Sequence, residues 1–275
     1  MDTYDAAHIA SFFDTYGERE WNRFDPEPLD KVNLHIHQHY LGRFVKPHMH
    51  VLDAGAGPGR FTIELAQLGA KVTALDISAG QLAQHRRRLE EAGLEHAVAS
   101  RHQGDVTDLS RFDDASFDAA VCYGGPISYA MDQADDAVAE LLRVTKPSGY
   151  VLLSVMSKVG ATRIFLPGVL ELYAQNPDGV ENVMTTGVLP KSLNNGHAMK
   201  MYSWAELETL LARHSGEIVA ASAANHLSTT HSEAVLEASR DPELWGRLLE
   251  WELSLCAEPG NLDGGTHILS VLRRR

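Results

Sequence analysis

The chain of 275 residues is long enough for one large domain with insertions, and 44% hydrophobic with 22% charged residues is typical of a soluble globular protein. Its 37 acidic and 24 basic residues give a net charge of -13, which opposes binding to a nucleic-acid backbone. Cys122 and Cys256 are too few and too far apart for a disulfide framework. Because the acidic amino terminus lacks a signal-peptide pattern and no run approaches membrane-spanning length, we expect a cytoplasmic protein with no membrane or nucleic-acid partner.

The amino-terminal region is predicted to be helical, with a second helix from about Pro28 to Phe44. Three histidines on that helix, His35, His37 and His39, suggest a metal site. Their i, i+2 and i+4 spacing prevents all three from sharing one helical face, and no glutamate follows as in a His-Glu-x-x-His motif. We therefore expect no metal ion.

A strand running into a glycine turn is predicted from Val51 to Arg60, and apolar residues at positions 61, 65 and 68 predict the helix that follows. Glycines let backbone N–H groups approach a ligand closely, and the start of the helix adds its positive end. A second strand begins at Lys71 and ends in Asp76, about 20 residues beyond the glycines, where an acidic residue reaches ribose hydroxyls in nucleotide-binding units. The pattern indicates a nucleotide-containing ligand.

Strands and helices continue to alternate after Asp76, which predicts an α/β fold. The loop at 123–129 follows a strand, and by the switch-point rule for open sheets it should carry ligand contacts. The predicted elements are a helix with a capping box of Ser78 and Gln81 that ends near Gly93, strands near 97–103, 116–122 and 150–156, a helix at 135–144, a helix from 202 to 214, a strand at 217–223, helices near 230–239 and 242–257, and a last strand at 266–272.

The spacing of the glycines separates two classes of cofactor. A dinucleotide motif, Gly-x-Gly-x-x-Gly/Ala, would place Arg60 where a small residue allows close packing of helix and strand. The chain instead has Asp53-x-Gly55-x-Gly57-x-Gly59. With this motif and those downstream, residues 50–156 resemble the class I S-adenosylmethionine-dependent methyltransferases, in particular the small-molecule enzymes of the ubiquinone and menaquinone type. The resemblance implies a Rossmann-like, mostly parallel seven-stranded sheet with helices on both faces, an inserted lid, and a last strand that inserts antiparallel between its neighbours.

The resemblance also implies roles for individual residues toward S-adenosylmethionine and its product S-adenosylhomocysteine. Asp76 would hold the ribose and Asp105 would accept the adenine amino group. The segment 18–24 resembles an element that closes over the cofactor, so that Arg23 would pair with its carboxylate and Trp21 would wall the site. A surface arginine beside a core tryptophan is the alternative. The expected cofactor-binding residues are Trp21, Arg23, Asp53, Gly55, Ala56, Gly57, Gly59, Asp76, Ile77, Gly104, Asp105, Val106 and Tyr123.

The alternation of helices and strands is predicted to break down between residues 157 and 201, where Pro-Gly, Asn-Pro and Asn-Asn-Gly sequences interrupt the chain. Long irregular insertions in compact domains are usually functional, so we interpret this one as a lid over the acceptor pocket. A structural appendage, such as an oligomer contact, is the alternative. We expect one domain, 1–275, made of a cap (1–46), a cofactor-binding core (47–156), the lid (157–203) and a carboxyl-terminal half-sheet (204–275). The candidate apolar lining of the lid is Phe165, Tyr173, Met184, Met199 and Met201.

Methyl transfer from a sulfonium requires alignment, exclusion of water and at most the removal of one proton. The loop from Tyr123 to Pro126 lacks the Asp/Asn-Pro-Pro-aromatic sequence of amine-methylating enzymes of nucleic-acid bases. We therefore expect a small-molecule acceptor methylated on O, N or C, with Tyr129, His226 and His231 as candidate bases, although each is also a plausible packing or surface residue. The alternatives are a macromolecular acceptor or a non-catalytic binding protein. A nicotinamide-dependent dehydrogenase is disfavoured, because Arg60 occupies the position of a small residue in the dinucleotide motif. A homodimer is left open.

Overall fold

A seven-stranded sheet runs through the part of the chain that the computed structural model describes, residues 3–22, 28–194 and 196–275. Its strand order is β3-β2-β1-β4-β5-β9-β8, and two short strands, β6 and β7, form a separate hairpin. The strands are β1 (His50–Ala54), β2 (Lys71–Asp76), β3 (Val98–Gln103), β4 (Phe117–Cys122), β5 (Thr145–Met156), β6 (Val188–Leu189), β7 (Met199–Lys200), β8 (Gly216–Ala223) and β9 (His267–Arg274).

Strands β1 to β5 pair in parallel, whereas β9 lies antiparallel between β5 and β8. The prediction of a mostly parallel Rossmann-like sheet with an antiparallel last strand is therefore confirmed. β1 is flanked by β2 on one side and by β4 on the other, so the chain leaves the carboxyl end of β1 at the point where the strand order reverses. Open α/β sheets bind their ligands in the crevice at that point.

Helices surround the sheet in the described residues. They are α1 (Ala6–Tyr16), α2 (Arg19–Asn22), α3 (Pro28–Phe44), α4 (Arg60–Gln67), α5 (Ala79–Glu91), α6 (Pro126–Tyr129), α7 (Ala134–Val144), α8 (Lys158–Ile164), α9 (Leu166–Gln175), α10 (Pro177–Thr186), α11 (Trp204–Leu211), α12 (Ser232–Ala238) and α13 (Pro242–Cys256). Among the helices described, none is both long enough and apolar enough to cross a lipid bilayer.

The alternation of side chains along the strands builds two cores. On one face of the sheet, Val51 packs with Ile36 of α3, Leu65 of α4 and Cys256 of α13. On the other face, the next residue along the strand, Leu52, belongs to a core shared with α7 and α11. Because both faces are covered, β1 and β4 consist almost entirely of buried residues, as expected of parallel strands at the centre of such a sheet.

The segment from 157 to 201 differs from the irregular insertion expected from the sequence, because it forms three helices, α8 to α10, and the β6–β7 hairpin. The prolines that suggested interruptions, Pro167 and Pro177, lie in the first turns of α9 and α10. Proline is tolerated there because the first N–H groups of a helix have no partner within it. Asn176 caps α10 by accepting from the N–H of Gly179, and Gly187 ends that helix at a φ of 74°.

Candidate functional site

The glycine turn after β1 is tightly enclosed, and this explains its composition. Gly55, Gly57 and Gly59 all have positive φ angles, of 77°, 52° and 95°. A Cβ on Gly55 would lie 2.3 Å from Cγ of Pro126, and one on Gly59 would lie 2.8 Å from Cδ2 of Leu89. The turn therefore keeps backbone without side chains at the start of α4, where the helix dipole favours a polar or anionic ligand.

Asp76 at the end of β2 faces this turn. Its Oδ2 accepts a hydrogen bond from the Gly57 N–H at 2.7 Å, and its Oδ1 accepts one from the Ser78 N–H at 2.8 Å. Burial raises the pKa of the carboxyl group to about 6, against the lowering effect of these two hydrogen bonds. Each oxygen keeps a free lone pair. The turn thus positions a hydrogen-bond acceptor at the carboxyl end of the strand.

Asp105 follows β3 at the neighbouring strand end. Its Oδ1 accepts from the Thr107 N–H at 2.9 Å, which makes a local Asx turn, and its Oδ2 accepts from the hydroxyl of Tyr4 at 2.5 Å. Burial and the adjacent Asp105 carboxylate raise the pKa of Tyr4, so its hydroxyl stays protonated as the donor. An acceptor expected to meet the adenine amino group is therefore held by a residue from the amino terminus.

A cleft of about 90 Å³ lies between the glycine turn, these two carboxylates and the amino-terminal helix α1. It is lined by Tyr4, Ile9, Phe13, Glu20, Gly55, Ala56, Gly57, Pro58, Arg60, Phe61, Leu75, Asp76, Ile77, Gln81, Gly104, Asp105, Val106, Tyr123, Gly124, Pro126 and Tyr129. The lining includes most of the expected cofactor residues and one candidate base, Tyr129.

Polar contacts fix α1 over the cleft. Asp14 Oδ1 accepts hydrogen bonds from the Ser78 hydroxyl at 2.5 Å and from the Gly80 N–H at 2.8 Å, at the start of α5. The Gln81 amide donates to the carbonyl oxygens of Phe13 and Gly17.

The expected capping box is therefore only half formed. Ser78 accepts from the Gln81 N–H as predicted, but the Gln81 side chain holds α1 instead of returning to the cap.

Several expected cofactor residues do not line the cleft. Asp53 is buried behind the turn, and Gly59, the last glycine of the turn, faces Leu89 and His85 of α5. Trp21 lies beside two guanidinium groups, with Arg60 at 3.9 Å and Arg88 at 4.6 Å from its ring centre. Arg23 lies outside the described residues. The segment that was expected to cover the cofactor thus contributes Glu20 to the lining, while Tyr4, Ile9 and Phe13 supply the rest of the cover.

Asp53 belongs to a buried hydrogen-bond chain behind the turn. The Arg101 Nε–H donates to His85 Nδ1 at 2.9 Å, so His85 carries its proton on Nε2 and donates to the Thr62 hydroxyl, also at 2.9 Å. Thr62 in turn donates to Asp53 Oδ2. Burial lowers the pKa of His85 to about 3 and raises that of Asp53 to about 7. This chain ties β1, α4, α5 and β3 together beneath the cleft.

The three candidate bases occupy different places. Tyr129 lines the cleft, with its ring 5.3 Å from that of Phe13 and 5.7 Å from that of His197. His226 is partly buried, and burial lowers its pKa. His231 is exposed just before α12. Neither histidine lines the cleft.

Tyr4, Ile9 and Phe13 line the cleft and were missed by the sequence analysis. Hydrophobic spacing in α1 predicts only that one face is buried, not what it covers.

The three histidines of α3 have different surroundings. His37 points inward, with Nδ1 2.9 Å from the Asn33 carbonyl, and burial lowers the pKa of His35 and His39. The described residues contain no group of three or more His, Cys, Asp or Glu side chains placed to hold a metal ion.

Residues 51–149 match a family model described as a methyltransferase domain. A malonyl-(acyl-carrier protein) O-methyltransferase of Erwinia billingiae is 40% identical over 107 residues, which cover 39% of each chain. A demethylmenaquinone methyltransferase of Clavibacter sepedonicus is 34% identical over 163 residues, which cover 58% of this chain and 61% of the relative. The chain therefore spans less than two thirds of the length of these relatives.

Two solved structures share the fold at low sequence identity. The (4+2)-cyclase SpnF has a TM-score of 0.63 at 16% identity, with 100% of this chain and 97% of the other covered. The 1,6-didemethyltoxoflavin N1-methyltransferase of Burkholderia thailandensis has a TM-score of 0.58 at 18% identity, with 98% and 88% covered. Since one of these proteins is named as a cyclase, the fold alone does not define the reaction. Residues 51–149 are thus similar to a methyltransferase domain, and the named O-methyltransferase and demethylmenaquinone methyltransferase are similar over part of their length.

Proposed function

We propose that the chain binds S-adenosylmethionine in the cleft and transfers its methyl group to an oxygen, nitrogen or carbon atom of a small-molecule acceptor, releasing S-adenosylhomocysteine. The observation that carries this proposal is the placement of two carboxylates, Asp76 and Asp105, at the adjacent ends of β2 and β3, beside the glycine turn that follows β1.

The polar and apolar groups of the cleft fit the cofactor chemically. A ribose diol needs acceptors, and Asp76 offers a buried carboxylate oxygen to each hydroxyl. An exocyclic adenine amine also needs an acceptor, which Asp105 supplies. The backbone of Gly55 and Gly57 leaves room for close approach, since neither residue carries a Cβ. Ile77, Val106 and Leu75 add an apolar lining for a flat ring.

When bound, the cofactor supplies a methyl group on a sulfonium that is already a good leaving group. The protein then has to align the acceptor, exclude water and accept a proton where the acceptor carries one. With the cofactor held beside Asp76 and Asp105, its methyl group would pass to the acceptor atom with S-adenosylhomocysteine as the leaving product, and a base or solvent would take the acceptor's proton. Tyr129 is the candidate base that lines the cleft.

A small molecule is favoured over a macromolecule for two reasons. The net charge of -13 opposes an anionic nucleic acid. The cleft is also covered by α1, through the polar contacts of Asp14 and Gln81, which leaves little room for a large acceptor to reach it. The named relatives supply the class of reaction but not the acceptor of this chain.

The test separates binding from turnover. Calorimetry measures the affinity of the wild type, of Asp76→Asn and of Glu90→Gln, a matched change at an exposed site on α5. We expect Asp76→Asn alone to weaken binding, because hydrogen bonds to a charged acceptor are worth about 1.5 to 3 kcal/mol. Release of S-adenosylhomocysteine is then measured with fractions of a metabolite extract, and the methylated component is identified by mass.

Equal affinity in all three proteins would contradict the role of Asp76. Tight binding of S-adenosylmethionine without stimulated release by any fraction would contradict turnover on a small molecule, and would favour a macromolecular acceptor or a non-catalytic binding protein.

A further inference from the structure

The lid contains a second cavity, of about 430 Å³, that is separate from the cofactor cleft and shares no lining residue with it. We call it the lid cavity. Its lining comes from α8, α9, α10 and the chain around the β6–β7 hairpin, and is apolar apart from Thr162 and Asn194. The lining residues are Ala161, Thr162, Phe165, Gly168, Val169, Leu172, Val180, Val183, Met184, Leu189, Leu193, Asn194, Met199 and Met201. Of the residues predicted as the apolar lining of the lid, only Tyr173 does not line the lid cavity.

The lid helices around this cavity contribute few buried residues. α9 contributes no buried residue, and α10 contributes only Val180 and Val183. Protein interiors are normally close-packed, and an apolar void destabilises a fold in proportion to its volume. Ligand pockets, in contrast, are usually apolar and have volumes of about 300–1,000 Å³. The size and lining of this cavity are therefore those of a binding site rather than of a packed core.

The lid cavity approaches the cofactor cleft through two side chains. Asn194 lines the lid cavity, and its amide nitrogen lies 3.1 Å from Nε2 of His197. The His197 ring lies 5.7 Å from the ring of Tyr129, which lines the cofactor cleft. His197 therefore lies between a residue that lines the lid cavity and a residue that lines the cofactor cleft.

The lid cavity opens to solvent. Phe165 and Met184 line the cavity and are also 63% and 42% exposed, so they lie at its mouth. A molecule that fills the cavity therefore contacts mainly apolar side chains. The polar lining residues are Asn194, next to His197, and Thr162, whose hydroxyl lies 3.7 Å from Sδ of Met184. That arrangement matches a molecule with an aliphatic portion and a polar head.

We propose that the lid cavity binds the aliphatic portion of the methyl acceptor, so that the acceptor is amphipathic and presents its polar head to the cofactor cleft beside Tyr129. The inference rests on the proposed function in one respect, because that function is what makes the ligand of the cavity the methyl acceptor. The cavity itself and its apolar lining are independent of that function.

Two filling variants and one control test the proposal. Gly168 lines the cavity, and a Cβ there would meet no atom within 4 Å, so Gly168→Trp adds volume without a backbone clash. Val169→Trp fills the cavity from the adjacent position. Leu170→Trp is the control, because Leu170 is on the same helix, is 61% exposed and does not line the cavity. Thermal melts establish that each variant is folded.

The probe is cis-parinaric acid, a fluorescent aliphatic acid, titrated into the full-length protein, with S-adenosylmethionine affinity measured separately by calorimetry. We expect saturable probe binding to the wild type and to Leu170→Trp, weakened roughly tenfold or more in both filling variants, with unchanged cofactor affinity. Once an acceptor is identified, its KM should rise in the filling variants while kcat is retained.

The proposal is overturned if the wild type does not bind the probe, if the filling variants bind it as the wild type does, or if Leu170→Trp weakens binding equally. A loss of probe binding that coincides with a change in oligomeric state would assign the cavity to a protein contact instead. If the probe binds as expected but the wild type does not bind S-adenosylmethionine, the proposed function fails and the ligand is not an acceptor.

Discussion

The hydroxyl of Tyr4 donates a hydrogen bond to the carboxylate of Asp105, and 101 positions separate the two residues in the chain. The contact places the amino terminus directly on the group proposed to recognise adenine. At about 90 Å³, the cleft beneath is smaller than the ~300–1,000 Å³ usual for ligand pockets. We therefore expect binding of the cofactor to depend on the position of the amino-terminal segment.

Replacing Tyr4 with phenylalanine should tighten binding of S-adenosylmethionine. The variant keeps the ring in the cleft but removes the hydroxyl that competes with the adenine amino group for Asp105. A net hydrogen bond is worth about 1 kcal/mol, which corresponds to a roughly fivefold increase in affinity. Calorimetry measures the change, with Tyr173→Phe on the exposed face of α9 as the control. Weaker binding by Tyr4→Phe would show instead that the hydroxyl contacts the cofactor.

Gly55→Ala should abolish cofactor binding. Gly55 has a φ of 77°, and its added Cβ would lie 2.3 Å from Pro126, so the turn and the loop after β4 must separate. A positive φ costs an L-residue about 1–2 kcal/mol even without that contact. Gly42→Ala on α3 is the control, since a Cβ there meets nothing within 4 Å and alanine favours the helix. Retained affinity in a folded Gly55→Ala protein would refute the tight-turn explanation.

Asp53→Asn should stabilise the protein above neutral pH. Burial raises the pKa of Asp53 from 3.8 to about 7. The folded state therefore holds this proton more tightly than the unfolded state, and the stability that the protonated group contributes is present below pH 3.8 and lost as the pH rises through 7. At one pKa unit per 1.36 kcal/mol, the loss is up to about 4 kcal/mol, and asparagine avoids it.

Urea unfolding at pH 5 and pH 8 measures this effect. The free energy of unfolding of Asp53→Asn should exceed that of the wild type more at pH 8 than at pH 5. A difference that does not depend on pH would mean that Asp53 does not titrate in this range.

Thr62→Val should destabilise the fold at every pH. The hydroxyl links His85 to Asp53, and its removal leaves two buried polar groups without their shared partner. An unsatisfied buried group costs about 1–3 kcal/mol. Thermal and urea unfolding measure the loss, and Thr209→Val at an exposed site on α11 should change stability little. Equal stability of the two variants would show that the buried chain does not contribute.

The sequence determined the parts of the site that are local in the chain. A strand, a glycine turn and a helix lie within one short unit, and Asp76 ends the next strand, so residue spacing alone predicts a cofactor crevice. The role expected for Asp105 came instead from the resemblance to the methyltransferase family. These residues line the cleft because parallel strands bring their carboxyl ends to one edge of the sheet.

The tertiary structure decided what covers that crevice. Tyr4 and Asp14 acquire their partners, Asp105 and Ser78, only when α1 packs across the sheet edge, 101 and 64 positions away. Pro177 shows the same limit in the segment 157–201, because a proline is compatible both with a break in the chain and with the first turn of a helix. Local pattern specifies backbone conformation over a few residues, whereas contacts between distant segments depend on how completed elements pack.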